Sequence, residues 1–123
     1  MFIENENYPL RITMIEGDFG IVLPIQLEVE DDETITDDDC FVVKIFKEIN
    51  TEPLLIKNYS NIQNNTIEFN LTKEESSLLN VDEYYYDLDW YQNNTFLCNV
   101  IAKQTFIVKE KAGAVNESND KCT

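Results

Sequence analysis

Apolar side chains recur at every second position along most of this chain, the period of a strand with one face turned inward. The odd positions Ile21, Leu23, Ile25, Leu27 and Val29 lie opposite Gln26, Glu28 and Glu30, predicting a long strand whose odd face enters the core. Pro24 falls within it. Proline has no N–H for a ladder bond, so the strand is expected to lie at a sheet edge there or to bulge. Upstream, LRITMI (10–15) predicts a first strand, closed by a turn at Glu16-Gly17-Asp18. Downstream, Phe41, Val43, Ile45 and Ile49 share a face of CFVVKIFKEI, with Lys47 intruding. LLIKNYS (54–60) and TIEFNL (66–71) follow as strands. The NIQNN between them suits a turn, because asparagine tolerates left-handed backbone.

The period changes once. In TKEESSLL, Thr72 can cap a helix and Glu75, three residues on, can return the bond, predicting a connector helix over 73–79. Next comes EYYYDLDWYQ (83–92), expected to form a strand over 84–91. Tyr84, Tyr86, Leu88 and Trp90 share its apolar face, while Tyr85, Asp87, Asp89 and Tyr91 share a mixed, half-exposed one. Leu88 and Trp90 are then core. Tyr86 is expected to bury its ring and send its hydroxyl to a carbonyl of the preceding loop, the tyrosine corner of sandwich folds. Residues 95–109 supply one long strand or two short ones broken near Ala102-Lys103.

About seven short strands and one crossover helix predict an all-β, immunoglobulin-like two-sheet sandwich, because the helical connection carries the chain from one sheet to the other. The length of 123 residues suits a single domain, expected over 1–111. The remainder, 112–123, is a polar tail expected to be flexible.

Composition narrows the function. The formal net charge is −15, and Arg11 is the only basic residue before Lys44. Such a field repels phosphate backbones and anionic membranes, so neither nucleic acid nor membrane is an expected partner, whereas a basic protein is permitted. No secretory signal pattern opens the chain and no apolar run approaches the length of a bilayer span, so cytoplasmic synthesis is expected. Cys40, Cys98 and Cys122 give neither a disulfide framework nor a zinc motif. The first two are expected as small core residues and the third as an exposed thiol.

The absence of histidine removes the Ser-His-Asp arrangement and every histidine-ligated metal. Asp87 and Asp89 sit two apart on one strand face, but as members of an exposed ladder they lack the burial a glycosidase acid requires. The clusters Asp31-Asp32-Glu33 and Asp37-Asp38-Asp39 lack the spaced ligands and turn glycine of a helix-loop-helix calcium site, and are expected as solvated loop. No glycine-rich phosphate loop occurs. No enzyme, cofactor or small-molecule substrate is expected.

Residues 69–109 resemble a family of small immunoglobulin-like phage structural domains, which includes the N-terminal domain of baseplate upper proteins and stand-alone relatives encoded among tail genes. That family is similar in a strand ending in Leu-Thr, a short helix, a Gly-x-Tyr-x-Tyr-Asp run, a hairpin, and a last strand ending in Gly-x-Phe-x-Val. Leu71-Thr72, Tyr84, Tyr86-Asp87, and Phe106 with Val108 fall on those positions. Asp82 stands where the family has its first glycine, and Lys103 or Gln104 takes the place of the second. The resemblance implies a non-enzymatic structural or adaptor protein of a phage or prophage particle (baseplate, tail or neck), without a cofactor. It also implies protein partners in a symmetric assembly, which includes a homo-oligomer, and a place in the virion. Tyr85, Tyr91 and the edge at Pro24 are the candidate contact surface. The alternatives are a carbohydrate- or calcium-binding module of a surface protein, and an acidic inhibitor that mimics DNA.

Overall fold

The computed structural model describes residues 2–3, 11–20, 22–30 and 34–110. Strands β1 (Phe2–Ile3), β2 (Ile12–Ile15), β3 (Leu23–Glu28), β4 (Asp39–Phe46), β5 (Leu55–Ser60) and β6 (Thr66–Phe69) precede helix α1 (Lys73–Ser76). Strands β7 (Asp82–Gln92) and β8 (Thr95–Lys109) follow it. One sheet has the order β1-β3-β6 and the other β2-β8-β7-β4-β5. Paired strands are antiparallel except β2, which runs parallel to β8 with Ile12 opposite Phe106. The chain changes sheet after β1, β2, β3, β5 and β6. The molecule is therefore an all-β sandwich whose connections are of the immunoglobulin-like, Greek-key kind.

The core lies where alternation puts it. Phe41, Val43 and Ile45 of β4, Tyr84, Tyr86 and Leu88 of β7, and Phe106 and Val108 of β8 form the inner face of the larger sheet. They pack against Leu27, Ile67 and Phe69 of the smaller one. Phe106 joins the layers: its ring meets Phe69 edge-on at 6.1 Å and Tyr86 edge-on at 6.5 Å. Burying one such ring contributes about 2–3 kcal/mol by area alone.

Several local expectations hold. The odd face of β3 turns inward, with Leu27 buried and Leu23 and Ile25 half-buried. Pro24 is exposed and opposite Glu68 of β6, on the part of β3 that β1 does not reach, since β1 pairs only with Leu27 and Glu28. The Thr72/Glu75 capping box is formed in both directions. Asn61, Asn64 and Asn65 all have positive φ in the turn before β6. Asn93 and Asn94 do the same between Gln92 and Thr95, which is the two-residue hairpin whose twist matches its strands.

Others are corrected. The two-residue β1 adds a strand that a leading Phe-Ile pair could not announce. The expected first strand is observed from Ile12, and the second ends at Glu28, so Val29 lies beyond it. Leu10, Ile21, the cluster 31–33, Cys122 and the expected tail 112–123 lie outside the described residues. Strand β4 stops at Phe46, and Ile49 is 44% exposed rather than part of the inner face. Helix α1 is one turn. Beyond it Leu78 and Leu79 donate to carbonyls three residues back, a tightened turn that drives Leu79 into the core.

Residues 95–109 form one strand, and its expected break is a bulge. Ala102 and Lys103 together face Asp87, Lys103 has φ 56°, and its N–H donates to Asp87 Oδ1 at 2.8 Å. Further register shifts at Leu88/Asp89 and Trp90/Tyr91 give β8 its excess length over β7.

Candidate functional site

The face of the five-stranded sheet turned away from the core is assembled by register. Cys40, Val42, Lys44 and Phe46 of β4 stand opposite Tyr91, Asp89, Asp87 and Tyr85 of β7, and Ile56 of β5 stands opposite Lys44. Tyr91 is half-buried and meets Phe96 of β8 edge-on at 5.6 Å. Tyr85 is also half-buried, beside Phe46 at the other end of the same face, where an open hollow runs to Ile49 and Asn50. A second open hollow, near Tyr91, is floored by Val42, Lys44 and Ile56. The two candidate contact tyrosines therefore lie at opposite ends of one surface. Pro24 belongs to the other sheet.

Between the tyrosines lies a charged group that the exposed-ladder expectation misses. Asp89 is only 4% exposed. It is 3.2 Å from the Lys44 ammonium and accepts from the Asn99 amide. Burial opposes the charge on Lys44, but the Asp89 carboxylate and the Tyr91 hydroxyl outweigh it and hold the ammonium above its ordinary pKa. Asp87, on the same face, is occupied by the Lys103 backbone. Both carboxylates are thus spent on structure. An isolated strand pattern cannot show this, because Asp89 is buried by the long neighbours β4 and β8 on either side of it.

Asp39 is the second correction. Expected in a solvated acidic run, it is 1% exposed at the start of β4. Its Oδ1 accepts from Trp90 Nε1 at 2.8 Å and from the Gln92 amide at 3.2 Å, while Oδ2 accepts from the Thr36 backbone N–H at 2.7 Å. The signal was present in the sequence: Asp39 is in phase with Phe41, Val43 and Ile45. Among the described residues, no three acidic or cysteine side chains converge to hold a metal ion.

Tyr84 donates its hydroxyl to the Asn80 carbonyl, four residues upstream, at 2.9 Å. Tyr86, the expected corner residue, buries its ring in the core, and burial pushes its hydroxyl pKa well up. Leu88 is fully buried as expected. Trp90 is only half-buried, stacked on Phe41 at 6.3 Å where the core meets the acidic loop. Cys40 and Cys98 are half-buried free thiols rather than core residues. No helix among the described residues is long and apolar enough to cross a membrane.

Comparison of the chain with protein-family models, with curated proteins and with solved structures finds no match.

Proposed function

We propose that this chain is a non-enzymatic structural or adaptor protein of a phage or prophage particle, in its baseplate, tail or neck, acting through protein–protein contacts. The observation that carries the contact role is the outer face of the five-stranded sheet. Tyr85 and Tyr91 stand at its two ends, with Val42, Phe46, Ile56 and Phe96 on the same face. Rigid aromatic anchors of this kind concentrate binding energy at protein interfaces. The two buried carboxylates, Asp39 and Asp89, are committed to hydrogen bonds, which favours a binding surface over a reacting one.

The particle assignment rests on the resemblance of residues 69–109 to small phage structural domains. Leu71, Tyr84, Tyr86, Phe106 and Val108, on which that resemblance is built, are all buried, so they bear on the fold, and the role is inferred from it.

Density-purified particles from the source organism, analysed by quantitative mass spectrometry, test the assignment. A fixed small-integer ratio of this chain to a ring or tube protein supports it; recovery only in the soluble fraction overturns it. Within particles, replacing Tyr85 and Tyr91 together by alanine should reduce incorporation. Unchanged incorporation would move the contact elsewhere.

A further inference from the structure

A sheet edge presents unpaired N–H and C=O groups to any chain that can lie beside it, and folded proteins usually guard such edges. Among the described residues, strand β5 is the outermost strand of the five-stranded sheet and pairs with β4 alone. Alternate residues along such a strand turn both backbone groups outward. The other edges are short or guarded. On β3 the exposed Pro24 stands beyond the residues that pair with β1, and β2 and β6 are four residues each. Strand β5 has six residues, LIKNYS, without proline, and keeps an unbroken register with β4. Its one charged side chain, Lys57, is drawn to Glu75 at 2.6 Å.

We propose that β5 pairs antiparallel with β5 of a second copy of this chain about a two-fold axis, joining the two larger sheets into one. The inference rests on the contact role proposed above and adds to it which edge is used and by which partner. Three observations select a second copy. A two-fold pairing requires self-complementary side chains, and with Ile56 on the axis each Ile56 meets its own copy while Leu54 falls opposite Asn58. Ile56 is 50% and Leu54 45% exposed, so the pairing covers the two aliphatic side chains left bare beside the edge. A chain of net charge −15 can meet itself only along a seam without free carboxylates. Residues 54–60 contain none, and Lys57 is already neutralised within its own chain. Carboxylates elsewhere on the surface are screened beyond about 8 Å at physiological ionic strength.

Edge pairing of one strand covers less than a standard interface of roughly 1,200–2,000 Å², so a weak, concentration-dependent dimer is expected. Its salt dependence is diagnostic. Because like charges oppose the pairing, added salt strengthens it, whereas a contact between acidic and basic surfaces weakens.

The experiment is sedimentation equilibrium of the full chain over a wide concentration range in low and high sodium chloride, with Ile56→Lys and Asn58→Lys as variants. Both positions are exposed, and thermal melts check that each variant folds. The expected result is an apparent mass rising from monomer to dimer with concentration, more readily in high salt, and lost in both folded variants. A chain that stays monomeric throughout, a dimer that both variants retain, or one that salt dissolves overturns the pairing. The particle experiment is independent: a chain that is monomeric alone yet stoichiometric in particles defeats this inference and leaves the proposed function standing.

Discussion

The Trp90 indole donates to the Asp39 carboxylate at 2.8 Å across the pairing of β7 with β4, fixing the start of β4 to the chain's single tryptophan. The same carboxylate holds Gln92 and the Thr36 backbone, so one buried side chain ties the loop before β4 to the central strands.

Asp39→Ala would leave these donors without their acceptor. The expected loss is about 2–3 kcal/mol, the range for unsatisfied buried groups and charged hydrogen bonds, with Asp39→Asn costing less because one acceptor oxygen remains. Urea unfolding followed by Trp90 fluorescence measures both. An unchanged midpoint for Asp39→Ala would remove the anchor.

Tyr84→Phe deletes the hydroxyl bonded to the Asn80 carbonyl while keeping the buried ring. A loss of about 1 kcal/mol is expected, lowering the melting temperature by several degrees. Calorimetry checks it, and an unaltered melt would show this hydrogen bond to be passive.

Glu75 links α1 to β5. Burial works against its charge, but the Lys57 ammonium and the Thr72 N–H outweigh burial and hold its pKa below the ordinary carboxylate value. A carboxyl with a lowered folded-state pKa contributes stability above its unfolded pKa of about 4.3 and loses it as pH falls through the folded value. Glu75→Gln should therefore be less stable than the parent at pH 7, by under about 1 kcal/mol because the pair is partly solvated. The two should converge in acid. Denaturation series at pH 7 and pH 3 test this, and a difference that grows in acid would contradict it.

Lys103 occupies left-handed backbone in the bulge opposite Asp87, with φ 56°. Glycine adopts this conformation without the β-carbon clash, and the backbone N–H that binds Asp87 survives the change. Lys103→Gly is expected to raise stability by about 0.5–1 kcal/mol and Lys103→Val to lower it. Chemical denaturation ranks the three proteins; a destabilised glycine variant would mean that the lysine side chain contributes more than the strained backbone costs.

Local chemistry alone determined much of this molecule. Period-two alternation in 23–28, 41–45 and 84–88 marks the inner faces, because a strand's side chains must alternate whatever its neighbours are. The Thr72/Glu75 box and the left-handed asparagine turns are equally local, since their hydrogen bonds and backbone preferences lie within a few residues. What the sequence left open is set by strands distant along the chain. Asp89 reads as a surface residue until β4 and β8 close over it and bring Lys44 and Asn99 to its oxygens. Asp39 reads as one of an acidic run until Trp90 and Gln92 arrive from more than fifty residues away. Periodicity reports which face a side chain takes. Burial and partnership depend on what covers that face, and only the assembled sheets decide it.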